Sequence, residues 1–334
     1  MKRDYSKMIN YTLLILGAII LVVFVKTLDF AAGIKSMQIA GLKVIFFMFI
    51  LMIITVVIKA FRWQILVKKI TGKSVSLWFS FLSIFAGVSS GSIFPGRNEI
   101  TKPLMLKTTY NAKLSNSIPA ALIEKIFDFV GIIVLFFIAL LFIQHITLEY
   151  NQYIMPIVIL GIVLLFSLFV FPKKVAKILS FIIFKLPVSN KLRSKINRFN
   201  EIFFKSFDVL KDKKATFLFF SLTFIEVFVE VIRLYYLFMA LGTPISLVTA
   251  AIASSGATLI GLISLIPGGV GIVEFSEAYI IKAVSNNSEL NKIKTLVFID
   301  RIISYFMVIA IGALVLLFYQ KIFKKQIIKK GGSI

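Results

Sequence analysis

The chain has 334 residues, of which 59% are hydrophobic and 35 are Phe, against ~45–50% apolar residues in ordinary globular chains. With no cysteine and a single histidine, His145, in an expected polar loop, disulfides, thiol chemistry, a metal site and a histidine general base are set aside, and no cofactor is expected. The net charge of +23 argues for lipid and against nucleic acid, because Lys and Arg anchor cytoplasmic loops and meet anionic headgroups in membrane proteins.

Six apolar runs reach or approach spanning length and are expected as membrane helices at about 9–25, 44–58, 118–143, 153–171, 215–240 and 295–319. No small-residue cleavage site follows the first, so it reads as a span and not a signal peptide. Two further apolar stretches, 77–95 and 247–266, end in Pro-Gly and run on into polar sequence. Lys and Arg crowd the N-terminus, 59–74, 96–117, 173–214 and the C-terminal tail, whereas 144–152 and 241–246 carry none. The positive-inside rule then puts both termini and the basic segments in the cytoplasm. Since 59–74 and 96–117 are both basic, 77–95 is expected as a re-entrant hairpin from the cytoplasmic side. The stretch 247–283 is expected as a second hairpin from the opposite face. Two crossing helices for each stretch are the alternative.

Two segments resemble each other. Ser89-Ser90-Gly91 and Pro95-Gly96 lead to Glu99, and a span opens with Glu124-Lys125 and Asp128; Ser254-Ser255-Gly256 and Pro267-Gly268-Gly269 lead to Glu274, and a span opens with Asp300-Arg301. The topology orients these units oppositely, as in transporters whose site lies at the repeat interface. The expected fold is therefore an all-α polytopic membrane protein. It forms one transmembrane domain over 1–334, with a first repeat at about 44–143, a cytoplasmic basic amphipathic segment at 173–214 and a second repeat at about 215–320. In that segment Leu192, Ile196, Phe199, Phe203 and Phe207 make an apolar stripe beside Lys191, Arg193, Lys195, Arg198 and Lys205, the pattern of a helix lying on anionic lipid.

Charges inside spans are costly and need partners or a function. Glu226, Glu230 and Arg233 fall on one face of the fifth span, which pairs Arg233 with Glu230 and leaves Glu226 for another partner or a proton. The glycines after Pro95 and Pro267, with Gly271, allow close or left-handed backbone. Each turn opens a helix whose amides could hold an anion, with Arg97 and Lys102 as positive charge for a phosphate. Structural ion pairing, loop anchoring and surface solvation of Glu274 and Glu277 are the competing readings. Gly87-Val88-Ser89-Ser90-Gly91 matches a nucleophile-elbow spacing, but that elbow needs a preceding strand and a reachable histidine.

These motifs resemble the transmembrane region of lysylphosphatidylglycerol synthases and the broader flippase-like family. The resemblance rests on Arg62-Trp63, on Pro95-Gly96-Arg97-Asn98-Glu99, on Glu124-Lys125-x-x-Asp128, and on Pro267-Gly268-Gly269-Val270-Gly271-Ile272-Val273-Glu274 followed by Asp300-Arg301. Asn98 stands where the family usually has glycine, with one residue fewer before the glutamate, and Lys102 and Lys125 stand for arginines, keeping charge but losing the fork. No soluble aminoacyl-transferase domain follows, so the resemblance implies lipid translocation and not aminoacyl transfer. Phospholipids or polyprenol-phosphate-linked lipids are the implied substrates. On this reading Arg97, Lys102, Arg233 and Arg301 face a phosphate. Glu99, Glu226, Glu230 and Glu274 face an amine or sugar or carry protons, and Glu124, Asp128 and Asp300 line the same cavity. A membrane transferase using Glu124 or Asp128 as base is the second reading, and an accessory subunit the third. Expected partners are anionic membrane lipids, with a second copy of the chain or a separate lipid-modifying enzyme left open.

Overall fold

The computed structural model describes residues 5–29, 31, 38, 41–93, 98–142, 212–285 and 289–331, and within these the chain is helical, with no strand. The helices are α1 (Tyr5–Lys26), α2 (Leu42–Thr71), α3 (Leu77–Ile93), α4 (Asn98–Tyr110), α5 (Leu114–Leu141), α6 (Lys213–Ala240), α7 (Leu247–Ile263), α8 (Ile272–Ser285), α9 (Leu290–Arg301) and α10 (Met307–Gly331). A 3-10 turn at Pro267–Gly269 precedes α8, and a π turn at Ile302–Phe306 joins α9 to α10. Local chemistry sets several ends. Gly72, at φ 70°, closes α2 and donates its amide to the Lys68 carbonyl, as a left-handed C-terminal residue does. Ser76, Asp212 and Ser246 cap α3, α6 and α7 by accepting the amides of Phe79, Ala215 and Thr249, each satisfying a donor the helix start leaves open.

The chain is a polytopic membrane protein. Among the described residues, Leu42–Thr71, Lys213–Ala240 and Leu290–Tyr319 are long and apolar enough to cross a bilayer, while Ile15–Lys26, α3 and α7 are apolar but shorter. The expected spans 44–58, 215–240 and 295–319 lie on those three long helices. The expected span 9–25 lies on α1. The span 118–143 lies on α5, where Glu124, Lys125 and Asp128 leave only the second half free of charge. The run 153–171 and nearly all of 173–214 lie outside the described residues, as does His145. One boundary is corrected: α2 continues to Thr71, so Lys59 and Arg62 sit inside a helix and not in a cytoplasmic loop. The apolar run ends at those charges; the helix does not, because lysine and arginine are good helix formers.

The relative directions of the helices follow from their contacts. Phe47 packs on Tyr236, Arg62 lies over Phe219, and Lys69 meets Asp212; numbers rise along α2 as they fall along α6, so this central pair is antiparallel. The hairpin α3–α4 follows the end of α2. Its two feet touch, the Ser76 amide donating to the Tyr110 hydroxyl at 3.2 Å, and its arms are tied by Ser90 to Thr101 at 2.7 Å. The hairpin α7–α8 follows the end of α6, with Gly256 against Ile280 and Gly261 against Val273. Two helical hairpins thus start from opposite ends of one antiparallel pair. Reciprocal packing accompanies them: α3 runs along α10, and α7 along α5.

The Pro267–Gly271 turn is covered by α1. Gly17 lies against Ile266, and Gly271 against Ile20 and Leu21, while Phe24 packs on Phe275 with ring centroids 4.9 Å apart. Since α1 ends at Lys26, the turn lies roughly 8–14 Å along that helix from its end at ~1.5 Å per residue. Gly268, Gly269 and Gly271 have φ of 65°, 63° and 85°, which L side chains adopt at a cost.

Gly312 in α10 lies directly against the Phe85 carbonyl and the Ser89 side chain. Gly312→Val would drive the α3–α10 contact apart, and overpacking of this kind costs ~1–3 kcal/mol. Its thermal unfolding temperature in detergent should fall clearly below that of the wild type.

Candidate functional site

The first charge cluster draws on four helices. Arg62 of α2 is fully buried. Its guanidinium contacts Glu226 of α6, lies 2.5 Å from Asp128 of α5, and sits 4.8 Å from the Phe219 ring centroid. One turn away, Lys59 reaches Glu226 at 3.1 Å and Glu230 at 3.4 Å. Lys102 of α4 donates to Glu124 of α5 at 2.6 Å, its ammonium 4.8 Å from the Trp63 ring centroid. Lys125 donates to Glu99 at 2.7 Å. Glu124 and Glu226 are almost wholly buried, and a buried carboxylate needs such partners because desolvation otherwise disfavours its charge.

The second cluster joins α6, α8 and α9. Arg233 forks onto Asp300, Nε donating at 2.9 Å and Nη2 at 3.1 Å, the geometry that suits a guanidinium and a carboxylate. Ser304 donates to Asp300 at 3.2 Å. Arg301 donates from Nε to Glu274 at 2.7 Å, and the Gly271 amide donates to the other Glu274 oxygen at 2.6 Å. Glu274 therefore caps the start of α8 while pairing with α9. The π turn begins immediately after Arg301, whose guanidinium lies 4.1 Å from the Tyr305 ring centroid. Tyr305 presents a buried hydroxyl without a hydrogen-bond partner. Glu277, 5% exposed, lies in the same cluster and makes no hydrogen bond or ion pair with another described residue.

The two clusters repeat a pattern. Glu99 near the start of α4 pairs with Lys125 of α5; Glu274 near the start of α8 pairs with Arg301 of α9. Lys102 follows Glu99 by three residues, as Glu277 follows Glu274, and Glu124 precedes Lys125 as Asp300 precedes Arg301. The clusters meet along α6, where Glu226 and Arg233 are seven residues and so roughly 10 Å apart on one face.

Of the residues expected from sequence, Glu99, Lys102, Glu124, Asp128, Glu226 and Glu230 come together in the first cluster, and Arg233, Glu274, Asp300 and Arg301 in the second, with Pro267, Gly268, Gly269 and Gly271 beside it. Arg97 and the Pro95-Gly96 turn lie outside the described residues. Three expectations are corrected. Arg233 pairs with Asp300 and not with Glu230, which meets Lys59 instead. The start of α8 is not open to an anion, because the Glu274 carboxylate already occupies it. Glu274 and Glu277 are buried, not solvated. One cavity is lined by Ile65, Leu66, Lys69, Phe127, Ala215, Thr216 and Phe219 and another by residues of α2, α6, α9 and the π turn, and neither touches the Pro267 turn. Lys59, Lys125, Glu277 and Tyr305 were not singled out as site residues. For Glu277 the available signal is its place one turn after Glu274, on the same face of α8.

Residues 11–312 match the family described as the lysylphosphatidylglycerol synthase TM region. A UPF0104 membrane protein of Pyrococcus horikoshii is 24% identical over 94% of this chain and 98% of its own length. Another, of Methanocaldococcus jannaschii, is 27% identical over 72% of this chain and 96% of its own. No solved structure matches the chain.

Breaking a buried pair strands one charge, at ~3–5 kcal/mol. Arg233→Ala should therefore lower thermal stability sharply, and Arg233→Met with Asp300→Leu should recover much of it. Lys69→Ala breaks a pair with Asp212 in which both side chains are 42% exposed, for which ~0.2–1 kcal/mol is expected. Comparable losses for Arg233→Ala and Lys69→Ala would contradict this ranking.

Proposed function

The chain belongs to the lysylphosphatidylglycerol synthase TM region family, and from that membership we propose that it moves a phosphate-bearing lipid headgroup across the cytoplasmic membrane. The observation that carries the reading is the twin arrangement of Glu99 with Lys125 and Glu274 with Arg301 at the starts of the second hairpin arms. Each pairs a carboxylate with a cation beside a broken helix. A phosphate entering there replaces the carboxylate on the cation, exchanging one anion for another without exposing a bare charge to low dielectric. Hairpins that begin at opposite ends of α2–α6 support an inverted repeat with access from each face in turn, while acyl chains stay in the bilayer. Lys102, Arg233 and Arg301, with Arg97, supply positive charge. Glu226 and Glu230 link the two halves.

The basic helix ends support the orientation. Lys68, Lys69, Lys73, Lys107, Lys113, Lys213 and Lys214 belong to the end of the molecule where α2, α4 and α6 meet, which the positive-inside rule assigns to the cytoplasm, with both termini. Cysteines placed singly at Ser74 and Lys113 in this cysteine-free chain should both resist an impermeant thiol reagent in intact cells. Labelling of either one from outside would reject the orientation.

Transport itself is tested with purified protein in liposomes carrying a fluorescent anionic phospholipid, reading exposure of inner-leaflet probe to a membrane-impermeant quencher. Wild type should accelerate exposure without changing the lipid chemically. Arg301→Gln removes a charge-assisted contact of ~1.5–3 kcal/mol and should slow it about 10–100-fold. A chemically altered lipid would favour the transferase reading, and no acceleration the accessory role.

A further inference from the structure

We infer that Glu277 holds a proton in the second cluster and that this proton travels with the anionic headgroup, making the transport proposed above proton-coupled. The inference rests on that transport reading for its coupling step and on geometry alone for the proton.

The geometry is a charge count in a largely buried cluster. Arg233 and Arg301 are the cations beside Glu277, and Asp300, Glu274 and Glu277 the carboxylates; buried Lys294 of α9 lies instead over the Phe275 and Tyr279 rings, whose spacing puts them on the opposite face of α8 from Glu277, and Glu230, also near Arg233, is paired with Lys59. Arg233 is committed to Asp300 by both fork nitrogens, and Arg301 to Glu274 through Nε. Glu277 is left over: buried, with neither hydrogen bond nor ion pair to another described residue. Its electrostatic neighbours are Asp300 and Arg301 from α9, Arg233 from α6 and Glu274 from its own helix. The neighbouring arm α7 contains no ionisable side chain, and α1, which covers this region, carries Lys7 and Lys26 only near its ends. Ionised, Glu277 would give the cluster two cations against three carboxylates; a proton on it makes the cluster neutral. An isolated carboxylate away from water is the expensive state, so the neutral carboxylic acid is the form this packing accepts.

The same count gives the direction of coupling. A phosphate approaching Arg301 adds negative charge. With Glu277 ionised the cluster is already net negative and repels it; with Glu277 protonated the cluster is neutral and admits it. The headgroup therefore enters when Glu277 carries H⁺. On the other face Glu277 gives that proton to water as the headgroup leaves, and it is reprotonated from the first face before the next cycle. No other bond changes. In the first cluster the equivalent position is Lys102, paired with Glu124, so the proton site belongs to one half only.

Glu277→Gln keeps the shape and fixes the neutral form. Two measurements on purified protein test it. In the infrared spectrum, wild type minus Glu277→Gln should contain a protonated-carboxyl C=O band at neutral pH; its absence would overturn the proton assignment, whether or not the protein moves lipid. In liposomes carrying the fluorescent anionic phospholipid, wild-type movement should speed up toward the alkaline side and slow when the gradient is reversed. Glu277→Gln should lose this asymmetry while still equilibrating probe between leaflets and keeping its unfolding temperature. An asymmetry retained in Glu277→Gln would overturn the coupling. If wild type moves no probe while the band is present, the transport reading fails and the buried proton stands.

Discussion

Everything in this fold depends on the constraint that a charge buried in an apolar bundle must meet an opposite charge. Arg62 is wholly enclosed, and removing a guanidinium from water is repaid only by close carboxylates with good geometry. Those carboxylates are Glu226 on α6 and Asp128 on α5. Satisfying this one side chain therefore fixes three helices against each other. Lys59, one turn along α2, repeats the demand on Glu226 and Glu230. Apolar side chains have little reason to choose one another over lipid tails, so they cannot set helix registration by themselves. Ion pairs can, because a helix slipped by one turn leaves a charge unpaired. The antiparallel setting of α2 and α6 is held at its middle by these pairs.

That central pair then orients the rest. Each of its helices is followed by a hairpin, and antiparallel partners end on opposite sides, so the hairpins begin on opposite sides too. The hairpin tip at Pro267–Gly271 ends short of a full crossing. Its backbone would be untenable against lipid, and two features answer that. Glu274 accepts the Gly271 amide, and α1 closes over Gly271 with Ile20 and Leu21. The glycines are needed for left-handed backbone, and they also let α1 approach that closely.

How much of this was legible in the sequence depends on the range of the interaction. Apolar runs, Pro-Gly breaks and the basic loops are local, and they disclosed helices, hairpins and a membrane setting. The site residues were also legible as types, because an ionisable side chain amid apolar sequence is costly wherever it lands. Their pairing was not. Arg233 has a glutamate three residues back on its own helical face, the natural choice from spacing, yet it takes Asp300, 67 residues on. The fork geometry of two coplanar hydrogen bonds is available across helices and not along one. The end of α2 was missed for a related reason. Hydropathy falls at Lys59 and Arg62, but these charges are neutralised by α5 and α6, which no window along α2 contains.

The two halves are not equivalent, and the difference is chemical. At the position where the first half carries Lys102 the second carries Glu277. At the position of Lys125, half exposed, the second carries Arg301, which is nearly buried, stacked on Tyr305 and followed at once by a π turn. A lysine with one carboxylate satisfies a point charge. An arginine with one of its nitrogens on Glu274 and its face on an aromatic ring keeps further donors in reserve. The Tyr305 hydroxyl beside it has no partner, and a π turn is a common mark of a helix shaped for something other than packing. The first half is not fully satisfied either: Arg62, though ion-paired with Glu226 and Asp128, has Nε and Nη2 without a hydrogen-bond partner among the described residues, and Glu99 keeps one buried oxygen unpartnered. What distinguishes the halves is the kind of group left over. In the first, the unpartnered atoms of charged side chains belong to residues already held in ion pairs, whereas the second leaves a tyrosine hydroxyl and a carboxyl beside a guanidinium stacked on that tyrosine's ring.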